Sequence, residues 1–181
     1  MAAEKPTIFT IGVYGSTEES FFGALVEHEI ELFIDIRARR GMRGARYRYA
    51  NSKYLQTKLA QLDIAYAHLP ELAPTKDMRR AQQAADKESR TAKRQRAVLS
   101  ESFIRAYRRD VLNLYKRKPE TKFNAAALLA RAKQLSRYPC DRPLTRIVLF
   151  CVEQHPDACH RSLAAEAWGS QQAAGIKHIS G

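Results

Sequence analysis

The chain has 181 residues, 45% of them apolar, and 31 lysines and arginines against 19 aspartates and glutamates, a formal charge of +12. That length suits one domain, and that apolar content excludes a disordered chain. No apolar run reaches the roughly 20 residues of a membrane helix, and residues 8–13 are too short and badly placed for a secretory signal. Three cysteines, Cys140, Cys151 and Cys159, exclude a fully paired disulfide framework and point to reduced thiols. The expectation is a soluble, cytoplasmic protein whose charge favours a polyanionic partner, nucleic acid first, unless the excess serves only solubility.

Residues 7–12 read as a buried strand, because Ile8, Phe9 and Ile11 favour strands and Gly12 ends the run. Ser16 follows a turn at Gly15 and has Glu19 three residues on. That capping-box spacing predicts a helix to about His28, with Phe21, Phe22, Leu25 and Val26 inward. A second apolar run, 32–36, completes a βαβ unit and implies parallel pairing. Residues 37–49, RARRGMRGARYRY, lack a period, contain two glycines and read as a loop. Ser52 caps a predicted helix through Leu62, and 64–69 form a third strand stopped by Pro70. Residues 73–99 are a charged insertion, either a solvated helix or a mobile excursion. Ser100 caps a helix through Tyr115, broken by Pro119, and Asn124 caps another to about Arg137. Residues 146–152 are the clearest buried strand. A turn at Pro156 and Asp157 leads to a helix from Cys159 or His160 to Trp168, ended by Gly169, and 176–179 form a last strand. The prediction is a single α/β domain over 1–181, a three-layer arrangement with a mostly parallel sheet of four or five strands and helices on both faces.

The densest chemistry lies in CVEQHPDACHR, residues 151–161. Strand geometry puts Cys151 and Glu153 on one side at a carboxyl end, and the turn delivers Cys159, His160 and Arg161 at a helix start. The carboxyl rim of a parallel sheet is where ligands bind, and a helix amino terminus offers free N–H groups. Three readings stay open. In the first, Cys159 is a nucleophile activated by its neighbours, Glu153 is a general acid or base, and Arg161 holds an anion. In the second, Cys151, Cys159 and one of His155, His160 or Glu153 hold a metal such as zinc; the spacing is no paired-cysteine knuckle and adjacent residues seldom share an ion, so no metal site is assigned. In the third, Cys151 is a core residue and Glu153 braces the turn through Arg161.

Asp35 and Arg37 alternate with apolar residues at another strand end, where they would either share that cleft or close the strand with a salt bridge. Gly12 and Gly15 would let backbone approach a phosphate, and Tyr14 lies between them. In the loop 37–49, Arg39, Arg40, Arg43, Arg46 and Arg48 offer guanidinium forks, and Tyr47 and Tyr49 offer faces for unpaired bases. Like charges this dense predict a loop that stays mobile until an anion neutralises it. A second basic block, Arg79, Arg80, Lys87, Arg90, Lys93, Arg94 and Arg96, is diluted by Asp77, Asp86 and Glu88 and reads as a solvated face. His68 and His178, each alone near a strand end, read as packed rather than catalytic.

At these residues the chain resembles the family termed domain of unknown function 488. The matching features are Thr10-Ile11-Gly12 after the first strand, Asp35-Ile36-Arg37, the stretch YAHLPELAPTKDMR, and Cys151 and Glu153 followed by Cys159-His160-Arg161, with His178-Ile179 last. Val13-Tyr14-Gly15 stands where members often carry His-Ser or Tyr-Glu-Gly, and Ala73 replaces a glycine. The resemblance implies an α/β fold and a shared rim site, and no particular reaction. The first hypothesis is therefore an enzyme acting on a nucleotide or nucleic acid. Glu153, Cys159 and Asp35 would be its catalytic residues, and Gly12, Tyr14, Arg37, Cys151, His160 and Arg161 would bind substrate. The second is a non-catalytic nucleic-acid-binding module using Arg39, Arg40, Arg43, Arg46, Tyr47 and Arg48.

Overall fold

Short apolar runs separated by capped helices build one parallel sheet. The computed structural model describes residues 6–92, 95–113, 124–136 and 144–181. The strands are β1 (Thr7–Gly12), β2 (Leu32–Asp35), β3 (Ala65–His68), β4 (Arg146–Cys151) and β5 (Gly175–Ile179). All pairings are parallel, in the order β3-β2-β4-β1-β5. The helices are α1 (Glu18–Glu27), α2 (Ser52–Gln61), α3 (Lys76–Glu88), α4 (Glu101–Asp110), α5 (Ala125–Ser136) and α6 (His160–Gln172). The expected α/β architecture with helices on both faces is present. Among the described residues no helix is long and apolar enough to cross a membrane. Lys93, Arg94, Tyr115, Pro119 and Cys140 lie outside the described residues.

Strand side chains alternate between two cores. Phe9, Ile11, Phe33, Val148 and Phe150 face one side, against Phe21 and Leu25 of α1 and Leu55 and Leu59 of α2. Ile8, Leu32, Ile34, Ile147 and Leu149 face the other, against Tyr107 of α4 and Leu163 and Trp168 of α6. The chain thus leaves β2 toward one face and leaves the neighbouring β4 toward the other. The carboxyl ends of β2 and β4 flank a point where the connections diverge, and such a divergence opens a crevice above a parallel sheet.

Several local expectations are corrected by long-range contacts. α1 is capped by Thr17, with Ser20 closing the capping box, rather than by Ser16. The Ser16 hydroxyl donates to the Val13 carbonyl and meets the Tyr49 hydroxyl at 2.8 Å. The residue before α2 is Asn51, whose side chain instead accepts from the Met42 amide. Ser100 and Asn124 do cap α4 and α5, through Phe103 and Ala127 amides. Gly169 does not end α6. The helix runs through it to Gln172 and closes at Ala173, whose φ is 49°. A Cβ at Gly169 would stand 3.1 Å from Ile176, so the glycine lets the helix lie close to β5. Within the charged stretch 73–99, α3 turns Met78, Gln82 and Asp86 inward.

Candidate functional site

A cavity of about 400 Å³ opens where β2 and β4 end. Arg37 enters it from beyond β2, Cys151 and Glu153 from the end of β4, Cys159 and His160 from the start of α6, and Arg96 from the charged stretch. Cys151, Glu153, Cys159 and His160 of CVEQHPDACHR thus face one cavity together with Arg37 and Arg96.

Its thiols are unequal. Cys159 is the residue before the first turn of α6, and Cys151 lies across from it; both are buried and free. Burial works to raise the Cys159 thiol. The hydrogen bond from Cys151, together with His160 and Arg161, outweighs burial and holds Cys159 well below an ordinary thiol. The same hydrogen bond, then burial, pushes Cys151 well up, so the proton the two share rests on Cys151. His160 Nδ1 stands 3.9 Å from Cys151 Sγ and 3.8 Å from Cys159 Sγ, and its ring packs on Tyr107 at 5.5 Å.

Arg37 is held as a rigid fork. Its Nε and Nη2 donate to the two oxygens of Asp35 at 2.9 and 2.7 Å, its amide donates to Asp35 at 3.1 Å, and its guanidinium carbon lies 4.5 Å from the Phe150 ring centroid. His68 Nε2 meets the Arg37 carbonyl at 2.9 Å, which packs this histidine into the strand end as its lone occurrence suggested. Arg37 is only 4% exposed, yet its Nη1 has no hydrogen-bond partner. Asp35 needs correction as a catalytic candidate. It is fully buried on the face of Phe33, and Tyr66 donates to its Oδ2 at 3.0 Å beside the Arg37 fork. It does not line the cavity; it positions Arg37.

Arg161 is also corrected. At 1% exposure its guanidinium donates to the Glu153 carbonyl, to the Gln154 carbonyl at 3.0 Å and to Thr10 Oγ1 at 3.4 Å. It fastens the turn after β4 with each guanidinium nitrogen engaged by the protein, it does not line the cavity, and it meets Glu153 through the backbone rather than the carboxylate. Gly12 is small for a related reason: a Cβ there would fall 1.8 Å from the Glu153 carbonyl oxygen. The close approach is of protein backbone, not phosphate. Tyr14 is half-buried with its ring 5.3 Å from Tyr47, away from the cavity.

The loop 37–49 divides by side chain. Arg39, Arg43, Arg46 and Arg48 are exposed and Arg40 is half-buried, and Arg39 reaches the cavity wall. Tyr47 and Tyr49 are buried, 4% and 2% exposed, in the aromatic core with Phe21. Their rings anchor the loop and offer no open face to a base. The alternation Arg46-Tyr47-Arg48-Tyr49 matches this burial, but Arg48–Ala50 is a single 3-10 turn and not a strand, so the match comes from how that turn packs on the aromatic core.

Arg96, expected on a solvated face, is instead buried at the cavity. Its Nη1 donates to Asp86 at 2.9 Å and its Nη2 to Glu153 at 3.2 Å, all three being buried. Gln82 continues the network, donating to Asp86 at 2.8 Å and accepting from the Ser100 amide at 2.9 Å. Part of the block expected to be a solvated face is thus the polar wall of the cavity. No local pattern marks Arg96, because its partner Glu153 is 57 residues away.

The family model described as "Domain of unknown function DUF488" matches residues 17–168. Neither a curated protein nor a solved structure matches the chain.

Proposed function

Since the chain belongs to the DUF488 family, whose description assigns no activity, we propose a function from its own site: an enzyme acting on a nucleotide or nucleic-acid substrate in the crevice between β2 and β4. The observation that carries this reading is Arg37, a buried guanidinium on the cavity wall with one nitrogen unpartnered. A buried N–H without an acceptor is costly, and an anionic oxygen of a ligand would satisfy it with a charge-assisted bond. In this reading Arg37 holds the anionic group, and Asp35 and Tyr66 hold Arg37. Glu153, poised against Arg96, gives or takes a proton. The Cys151–Cys159–His160 cluster supplies the reactive group. The exposed arginines of 39–48 extend the positive surface for a longer polyanion.

The test offers the purified protein nucleotides and short single-stranded DNA and RNA and reads products by mass spectrometry. The expected result is conversion by the wild type. It should fall at least about 100-fold in Glu153→Gln and Cys159→Ser, as loss of acid–base or covalent help requires, while binding persists. Full activity in both variants, or neither binding nor conversion by the wild type, contradicts the reading. A second reading, a non-catalytic nucleic-acid-binding module, is favoured by the exposure of Arg43, Arg46 and Arg48. It predicts binding that weakens when these arginines are removed, with no substrate converted.

A further inference from the structure

Two sulfurs and one imidazole nitrogen converge where the cavity meets α6. Cys151 Sγ, Cys159 Sγ and a ring nitrogen of His160 all lie within 4.8 Å of one another. A tetrahedral zinc ion with Zn–S of about 2.3 Å and Zn–N of about 2.0 Å sets a sulfur and a nitrogen about 3.5 Å apart and two sulfurs about 3.8 Å apart. The S···N separations, 3.9 and 3.8 Å, exceed the sulfur–nitrogen edge by only a few tenths of an ångström. The objection to neighbouring ligands is answered by the backbone. Cys159 is extended, at φ −136° and ψ 141°, while His160 is the first residue of the helix, so the two side chains turn back to one point.

The imidazole is oriented for the same task. His160 Nε2 faces the Ile36 carbonyl at 3.4 Å, and a carbonyl only accepts, so Nε2 carries the proton and Nδ1 presents its lone pair toward the sulfurs. All three residues line the cavity. Among the described residues no fourth cysteine, histidine or carboxylate joins the cluster.

We infer that Cys151, Cys159 and His160 form a three-ligand site for a divalent zinc-type ion, with its fourth position open to the cavity beside Arg37 and Glu153. Thiolate and imidazole select zinc over magnesium or calcium. An open fourth position is the arrangement of catalytic rather than structural zinc. A water or a substrate oxygen would occupy it, so this inference deepens the enzyme reading and rests on it for that last step alone. Here the Cys159 sulfur is a ligand and not the attacking group.

The experiment titrates the reduced, metal-stripped full chain with Co²⁺, which reports tetrahedral coordination by its visible absorption and thiolate ligation by a sulfur-to-metal charge-transfer band. The expected result is saturation at one ion per chain with both signals and displacement by Zn²⁺. Cys151→Ser, Cys159→Ser and His160→Ala should each weaken binding more than about 100-fold, whereas Cys140→Ser should leave the spectrum unchanged. Circular dichroism separates lost ligation from lost folding. Iodoacetamide adds an independent reading on the wild type: bound Zn²⁺ should protect Cys159 from alkylation. An octahedral spectrum without the sulfur band, binding insensitive to all three substitutions, or equal alkylation with and without Zn²⁺ overturns the site. Nucleotide affinity measured on the same metal-free protein tests the Arg37 pocket separately, so the two ideas can fail independently.

Discussion

Arg37 gains its fixed position from Asp35 and Tyr66, and that triad makes a pH-dependent prediction. Burial, then the Asp35 charge, pushes the Tyr66 phenol from 10.0 up to about 12. The folded chain therefore binds the phenolic proton more tightly than the unfolded chain. The associated stability is whole below about pH 10 and is lost as pH rises through about 12. Tyr66→Phe should cost about 1 kcal/mol near pH 8, through the lost hydrogen bond to Asp35. Urea unfolding at stepped pH should show the wild-type advantage shrinking above pH 10; an advantage that stays constant to pH 12 contradicts this account. The pairing of Asp35 with Arg37 was readable, since residues two apart at a strand end can close on each other. What the sequence could not disclose is that this pairing uses the Nε and Nη2 of the fork and leaves Nη1 over. Arg161 misled for the opposite reason. A guanidinium beside a cysteine at a helix start looks like an anion clamp, but the carbonyls of Glu153 and Gln154 take its donors first.

At the level of elements, the strands were legible because burial on both faces demands continuous apolar runs such as residues 146–152. Caps were legible where the capping side chain has no rival partner, as at Ser100, and misread where a distant group competes, as Tyr49 does for Ser16. The charged stretch was the least legible. Besides Met78 and Leu99, its inward residues are Gln82, Asp86 and Arg96, polar groups that pack because they satisfy one another. Gln82 joins α3 to the start of α4 and, through Asp86, to Arg96 and Glu153. Gln82→Ala should therefore lower stability by about 1–3 kcal/mol, the cost of leaving buried partners such as the Ser100 amide unsatisfied. Hydrogen exchange should quicken around residues 96–100. A loss under about 0.5 kcal/mol, the range of ordinary surface substitutions, would mean that this network does not hold the cavity wall.

The whole molecule combines a crevice set by topology with a formal charge of +12. The crevice follows from strand order: β2 and β4 are neighbours whose following helices lie on opposite faces. Sequence pattern supplied the strands but not their order, which depends on pairings more than 100 residues apart, such as Leu32 with Ile147. In the function proposed above, the positive loop and the buried fork would address different parts of one polyanion. Exposed arginines would contribute a salt-sensitive attraction through counterion release, and Arg37, shielded from solvent, a contact that salt screens less. The most direct measurement is calorimetric titration of the wild type and of Arg37→Lys with a nucleoside monophosphate, repeated with added salt. Lysine keeps the charge and loses the fork. The account predicts one nucleotide per wild-type chain and binding at least about 10-fold weaker in Arg37→Lys, measured at a temperature where circular dichroism shows both proteins folded, as expected for one lost charge-assisted bond. A wild type that binds no nucleotide, or equal affinity in the two proteins, would contradict it.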